Sequence, residues 1–493
     1  MTLETLALLT TLAAPLSMAV ILVVFRRKTV KTAGLLAGLS VLLLLVSVFV
    51  LVPALQRGDE PSFRIAWMPV VGIELVLHLD WLSLPFLLTE AAVTAFATVY
   101  AWGYHKVDDR TPLFYALLLL FAVGMTGTTL ADDLVLFYTF WELMLIASAA
   151  LILFWGDTTT NVRRENVALK YVIFTHIGSL LVLVGFLVLY DLMGHDSFSG
   201  LRNAALVVPP DLIGVIMPLF LIGFGIKMAV FPLHLWLPDA HTVAPMPVTI
   251  MLAAAMLGMG TYGILRFPLS LFSMEQARVY ALPMMIVGVV SEVYGALMAL
   301  AEDDLKRIVA YSSVSQMGYI LFGLGTLTQE GVSGATLHVI FHAIVKALLF
   351  MVVGIFIHAT GKRQFDELSG EGRKMPAVAA CGAIGLLAIA GVPPLCVFDS
   401  EWMIFAGGFH TAHIALSVIT LLGSVLTVAY ALRIGAGPFW GDIPPKLRLK
   451  TVPKAMLIPT IVLAALAVIG GIFPAPLLDW VVQELPLLLR GQW

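Results

Sequence analysis

The sequence predicts an all-α integral membrane protein of about 14 transmembrane helices, with the seventh and twelfth discontinuous. Three observations carry this. Of 493 residues, 60% are hydrophobic and only 12% charged, roughly half the ~25% of a soluble domain. The apolar residues fall in long unbroken stretches, each near the ~20 residues needed to span a bilayer. Lysine and arginine concentrate in alternate connections, the asymmetry that sets orientation in membranes.

In chain order the stretches lie near 4–25, 32–54, 82–102, 112–130, 132–155, 168–190, 211–241, 247–271, 279–300, 306–325, 331–359, 377–408, 412–435 and 456–474. Continuous runs of this kind oppose a β-barrel, whose strands alternate over about ten residues. The first run begins at Glu4, lacks a basic leader and is too long for a cleaved signal, so it reads as a permanent helix. With the N-terminus outside, the cytoplasmic connections hold 20 basic residues and the opposite side six: Arg57, Arg64, Arg202, Arg266, Arg278 and Arg490. Both termini then lie on the non-cytoplasmic side of a prokaryotic-type plasma membrane. The remaining two, Lys227 and Lys346, fall inside spans.

Several functions are excluded. The net charge of −3 and the lack of a basic block oppose nucleic acid binding. Cys381 and Cys396 form no C-x-x-C pair, and there is no phosphate-binding or dinucleotide-binding glycine motif. The longest connections, about 55–81 and 436–455, are too short to fold alone. No cofactor is expected in this chain.

An ionisable side chain at the centre of a membrane helix costs about 2.5–3.5 kcal/mol on insertion scales and is a functional candidate by default. Glu142, in Phe140-Trp141-Glu142-Leu143-Met144, and Lys227, late in the seventh span, suggest an ion pair at similar depth. His338, His342 and Lys346 are spaced by four on one helix face, an arrangement suited to a hydrogen-bonded proton chain. A zinc helix would need Glu after the first histidine, where Val339 stands. Interior prolines break two spans, at Phe231-Pro232-Leu233-His234 and at Gly391-Val392-Pro393-Pro394, with Pro232 and Pro393 matched 161 residues apart. Paired interrupted helices mark transporters with internal repeats, and Asp399 and Glu401 directly follow the second break. Glu90 and His176 are secondary candidates for lining a water path, and Glu292 a lesser one. Asp132, Asp133, Glu302, Asp303 and Asp304 sit at span ends, where capping or solvation accounts for them.

The Phe140–Met144 segment, Lys227 with Pro232-Leu233-His234-Leu235-Trp236-Leu237-Pro238-Asp239-Ala240-His241, and His342 through Leu349 resemble the antiporter-like subunits of respiratory complex I. That family also includes subunits of membrane-bound hydrogenases and of Mrp-type sodium/proton antiporters. The resemblance covers about residues 75–435 and extends to Asp80-Trp81-Leu82-Ser83. It implies helices 1–3 over 1–111, one inverted five-helix repeat over 112–271, a second over 279–435, and a loop with the last helix over 436–493. It implies ion transfer, of protons or sodium, along a central polar axis: Glu142 and Lys227 in the first half-channel, His338, His342 and Lys346 at the centre, Glu401 after the second break. It implies sister antiporter-like subunits as partners, and a peripheral redox arm whose iron–sulfur, flavin or nickel–iron centres lie outside this chain. One departure stands out. Many members place a lysine or histidine in the eighth helix, where this chain has Met256-Leu257-Gly258-Met259, so His234 or water is expected to make that link. With Trp493 soon after the last span, no lateral helical arm is expected.

The leading expectation is an ion-pumping subunit of a redox-driven complex, and the alternative a Mrp-type exchanger without redox partners. A metal-dependent intramembrane hydrolase using His338 and His342 stands third.

Overall fold

The computed structural model describes residues 2–68, 73–158, 162–193, 198, 208–442 and 449–488. Of the basic residues counted above, Arg202, Lys446, Arg448 and Arg490 lie outside them. Among the described residues, thirteen helices are long and apolar enough to cross a membrane. They are spans 1 to 6 (Leu3–Val24, Ala33–Gln56, Ser83–Tyr104, Thr111–Leu130, Leu134–Trp155, Arg164–Met193), span 7 (Pro210–Met228), span 8 (Met246–Leu269), span 9 (Met274–Ala301), span 10 (Leu305–Gly325), span 11 (Gln329–Thr360), span 13 (Ile414–Trp440) and span 14 (Lys454–Ile472). Span 12 is built from two shorter helices, Pro376–Ile389 and Cys396–Phe409. Span 7 continues past its break as the short helix Leu237–Val243. The count and both discontinuities follow the sequence reading.

Helix starts are set by side chains that accept the first free backbone N–H groups. Asp133 takes Leu136 N at the start of span 5, and Thr328 takes Gly331 N at the start of span 11. Asp304 takes Lys306 N and Arg307 N for span 10, and Ser273 with Gln276 forms a reciprocal capping box for span 9. Two of the five acidic residues at span ends are therefore caps. Two more pair with cations: Glu302 with Arg307, and Asp303 with Arg433.

Spans 8 and 10 are wholly enclosed by protein, and span 11 nearly so. Spans 1, 2, 6, 13 and 14 turn rows of exposed apolar side chains outward, as lipid-facing helices must. Span 8 contains two π-helical turns, Leu252–Met256 and Leu265–Leu269. Gly260 in span 8 has the Phe224 carbonyl and Met228 where a Cβ would stand, so this glycine permits a close helix approach.

The two ends of the bundle differ. One gathers Arg363 with Asp157 and Asp304, Arg307 with Asp239, and Lys170 with Asp239. The other carries Arg57 with Glu4, Arg64 with Glu74, and Arg266 with Asp80. This second end also holds two elements that hydropathy alone does not foresee. Strand β1 (Ser62–Met68) pairs antiparallel with β2 (Ile73–His78), and β2 bridges at Leu77 to Ala131 between spans 4 and 5. Beyond span 14, helix Ala475–Leu488 brings Trp480 to within 6.0 Å of Trp81, ring centre to ring centre.

Candidate functional site

The first break begins where span 7 ends at Met228. Ala229 takes a left-handed conformation (φ 57°, ψ 46°), and the chain runs irregularly to Leu237. Its freed groups find partners. The Trp236 indole N–H donates to the Ile226 carbonyl at 2.9 Å, and Phe231 N–H donates to Ser291 Oγ of span 9 at 2.9 Å. The second break has the same local form: Gly391 is left-handed (φ 65°), and helix resumes at Cys396. In each break a proline follows the left-handed residue by three positions, Pro232 after Ala229 and Pro394 after Gly391. The structural register between the breaks is therefore 162 residues, and Pro232 matches Pro394. The sequence pairing with Pro393 was one residue short, because composition does not mark which residue turns.

Lys227 is buried, whereas Glu142 is only partly buried, on the face of its span that also carries the exposed Thr139 and Ile146, and the two do not form the expected contact pair. Glu142 Oε2 lies 3.3 Å from His176 Nδ1, while its Oε1 has no hydrogen-bond partner. Lys227, buried, sits with Nζ 5.1 Å from the Trp141 ring centre. It senses the Glu142 charge without touching it. The indole face supplies the nearest favourable potential for the ammonium. His176 thus moves from secondary candidate to the direct partner of Glu142.

The central group is assembled as the spacing requires. His338, His342 and Lys346 are all buried on span 11. His338 Nε2 donates to Gln316 Oε1 at 2.8 Å, and its Nδ1 lies 3.0 Å from Ser400 Oγ. The His338 and His342 rings stand 6.5 Å apart, and His342 Nε2 has no partner. Lys346 Nζ donates to the Val309 carbonyl at 3.3 Å and to Ser312 Oγ. Among the described residues no carboxylate comes within 4 Å of this amine. With both nitrogens of His338 engaged, the geometry opposes the metal-binding reading.

His234 is buried, with both ring nitrogens unpartnered, and packs against Phe231 and Tyr294. The histidine of this segment within electrostatic reach of Lys346 is His241, seven residues on, fully buried and likewise unpartnered at both nitrogens. His241 is a residue that sequence reasoning missed. The signal was its place at the end of the Pro238–His241 motif.

Past the second break, Glu401 is buried and Asp399 partly exposed, each with one unpartnered carboxyl oxygen. Glu401 borders a cleft of about 450 Å³ lined by Phe398, Trp402, Phe405 and Leu421. At the register of 162 its counterpart in the first half is Asp239, which is held by Lys170 and Arg307 at 2.8 Å each. Glu401 has no such cation among the described residues. Glu90 accepts from Thr129 Oγ1 at 2.6 Å between spans 3 and 4, where Met259 of span 8 also touches Thr129.

A further ionic group lies at the hairpin end of the bundle. Arg266 Nη1 and Nη2 reach Asp80 Oδ2 and Oδ1 at 2.6 and 2.8 Å, and Arg266 Nε donates to Tyr262. Burial alone would raise the Asp80 carboxyl, but the Arg266 charge and its hydrogen bonds hold it well below the usual carboxylate range. His78 contacts Glu60 Oε2 at 3.1 Å. Burial works against its charged form, yet the bond to Glu60 and the charges of Asp80 and Asp132 raise it above an ordinary histidine.

The family described as NADH:quinone oxidoreductase/Mrp antiporter, TM, matches residues 131–427. A chain named NAD(P)H-quinone oxidoreductase chain 4 1, from Synechococcus sp. (strain JA-3-3Ab), is 36% identical over 397 residues, 78% of this chain and 73% of its own. A chain 4 2 from Thermosynechococcus vestitus is 34% identical over 421 residues, 82% of this chain and 76% of its own. Among solved structures, a chain of the Mrp complex from Dietzia sp. superposes with a TM-score of 0.88 at 23% identity, covering 100% of this chain and 98% of its own. A chain of the membrane-bound sulfane sulfur reductase, an archaeal respiratory membrane complex, gives 0.86 at 28% identity, covering 96% and 77%. This chain belongs to the NADH:quinone oxidoreductase/Mrp antiporter transmembrane family, as one of its antiporter-like membrane subunits.

Proposed function

We propose that the chain translocates protons across a prokaryotic plasma membrane as the pump subunit of a redox-driven complex, with both termini on the non-cytoplasmic side. The observation that carries this is Lys346. A buried amine resting on a carbonyl and a hydroxyl, with no counter-ion among the described residues, is a poor structural pair and a good place to hold and release a proton. In the first half, His176 and Glu142 exchange a proton, and the resulting charge on Glu142 sets the field at Lys227. His241, within electrostatic reach of Lys346, serves in place of a helix 8 lysine as the link to the centre. From Lys346 the path continues through His342 and His338 to the residues after the second break. Residues 112–271 and 279–435 form the two inverted halves of this path in the proposal. The redox centres, iron–sulfur, flavin or nickel–iron, reside in a peripheral arm, and sister antiporter-like subunits flank this one.

The second reading is a subunit of a Mrp-type sodium/proton exchanger. Its support is full-length superposition on the Dietzia chain, at an identity that speaks to fold alone. The higher identity to quinone oxidoreductase chains favours the redox reading. Tagging the chain at its native locus, extracting the complex gently and identifying its companions by mass spectrometry tests this. Iron–sulfur, flavin or nickel–iron subunits are expected. Recovery of only small hydrophobic proteins and sister antiporter subunits overturns the redox reading.

A further inference from the structure

Lys306, in the first turn of span 10, is buried and held as Lys346 is, on uncharged oxygens, yet the path described above does not use it. Its Nζ donates to the Ala244 carbonyl at 2.7 Å and to the Thr242 carbonyl at 3.2 Å. Both carbonyls close the short helix Leu237–Val243, the segment that follows the first break. An ammonium has three N–H donors, and the third finds no acceptor among the described residues. The carboxylates of this end are engaged elsewhere. Arg363 pairs with Asp157 at 3.0 Å and with Asp304, and Asp304 also caps span 10.

Hydrogen bonds and packing tie this amine to the centre. The Thr242 carbonyl that accepts from Lys306 belongs to the residue directly after His241. The His241 ring stands 5.8 Å from the Phe350 ring, centre to centre, and Phe350 lies one helical turn beyond Lys346 on span 11. Lys346 in turn donates to the Val309 carbonyl at 3.3 Å and to Ser312 Oγ, in the turns of span 10 that follow Lys306. Two buried amines thus share the start of one helix, and His241 feels the charge of both. His241 and Thr242 are buried, and neither ring nitrogen nor Thr242 Oγ1 has a hydrogen-bond partner. Such atoms are costly to bury unless water bridges them. On its outer side Lys306 reaches the surface through Arg363, which donates to the same Thr242 carbonyl at 3.4 Å and whose partner Asp157 is partly exposed.

We propose that Lys306 is the loading amine of the central site, taking a proton from the Arg363 end of the bundle and passing it through bound water and His241 to Lys346. That end is cytoplasmic in the orientation proposed above. The inference rests on the translocation reading and adds to it a way in that is separate from Glu142 and Lys227. One N–H bond of the Lys306 ammonium breaks as an N–H forms on one ring nitrogen of His241. The other ring nitrogen then gives its proton to the Lys346 amine, and the imidazole is left neutral as the opposite tautomer. One positive charge has moved from Lys306 to Lys346, and no other group is changed. A carboxylate in contact would fix the ammonium form of Lys306, whereas carbonyls leave it free to exchange.

The competing account is structural: an ammonium at the end of helix Leu237–Val243 satisfies its last carbonyls and complements its dipole. Arginine separates the two accounts, because a guanidinium donates to the same carbonyls but does not release a proton. The experiment is proton translocation in membrane vesicles carrying the intact complex, with the assembled subunit quantified in the same membranes. Lys306→Arg is expected to assemble and to lower translocation at least tenfold. Translocation at the parent rate in that variant overturns the proposal. Should the larger guanidinium prevent assembly, X-ray radiolytic footprinting of the native complex decides, since it oxidises buried side chains that touch bound water. Oxidation at His241 supports the route, and its absence overturns it. Lys346→Ala is measured in parallel. Normal pumping there defeats the translocation reading itself, whereas loss there with the parent rate in Lys306→Arg defeats the loading route alone.

Discussion

At the residue scale, partner choice decides role. Asp80 and Arg266 meet in a bidentate pair reinforced by Ser83 and Tyr262, which is the geometry of a structural lock. Breaking such a buried pair leaves an uncompensated charge and costs about 3–5 kcal/mol. Asp80→Ala is therefore expected to lower the unfolding temperature of the detergent-solubilised chain or its assembled yield, measured by thermal unfolding. His78, beside this lock, gives a pH dependence. Its folded pKa is raised, so its stabilising contribution is complete below the unfolded value of about 6.5 and is lost as pH rises through the folded value. His78→Gln should accordingly lose stability relative to the parent in mild acid and match it in alkaline buffer; the opposite trend contradicts the assignment. Sequence reading singled out Lys227, Lys346, His338, His342 and Glu401 as candidates, because single ionisable residues in apolar runs are conspicuous, and the structure buries all five. It misjudged the partner of Glu142, since His176 lies on another span and helical spacing relates only residues of one helix. It passed over His241 because that residue has no periodic companion.

At the element scale, the two breaks turn on one left-handed residue each, and they differ in a testable way. An L-residue in that conformation bears about 1–2 kcal/mol that glycine avoids. Ala229→Gly is expected to leave stability unchanged or raise it by up to about 1 kcal/mol, checked by thermal unfolding. Gly391→Ala both imposes that strain and drives a methyl group into the Glu401 carboxyl. It is expected to lower ion translocation at least tenfold with the subunit still assembled; wild-type transport would show that the Glu401 seat is not needed. The breaks were legible from their prolines. The exact turning residue was not, since prolines mark where a helix cannot continue and φ marks where the chain reverses. The β1–β2 hairpin and the helix Ala475–Leu488 were invisible to a search for long apolar runs. A short strand pair and an amphipathic helix carry too few consecutive apolar residues to register.

At the scale of the whole molecule, the fourteen-span bundle and its lipid-facing rim followed from composition and hydropathy alone, because length and apolarity are what a bilayer selects. The enclosed spans 8 and 10 show how little hydropathy says about interior position: span 10 is the least apolar of the thirteen and wholly buried, with Ser312 and Gln316 turned to the relay. The split of basic residues predicts that reporter fusions ending at Lys106 or Lys362 report a cytoplasmic location and fusions at Arg57 or Arg278 the opposite one. A reversed pattern contradicts the orientation and with it the direction of the proposed path.

The central claim is that Lys346 holds the translocated proton and Glu142 controls its arrival. It is tested most directly by measuring ion translocation in membrane vesicles carrying the intact complex with Lys346→Ala or Glu142→Ala, alongside the amount of subunit assembled. Loss of translocation with normal assembly is expected in both. Normal translocation in both variants would contradict the path through the buried axis.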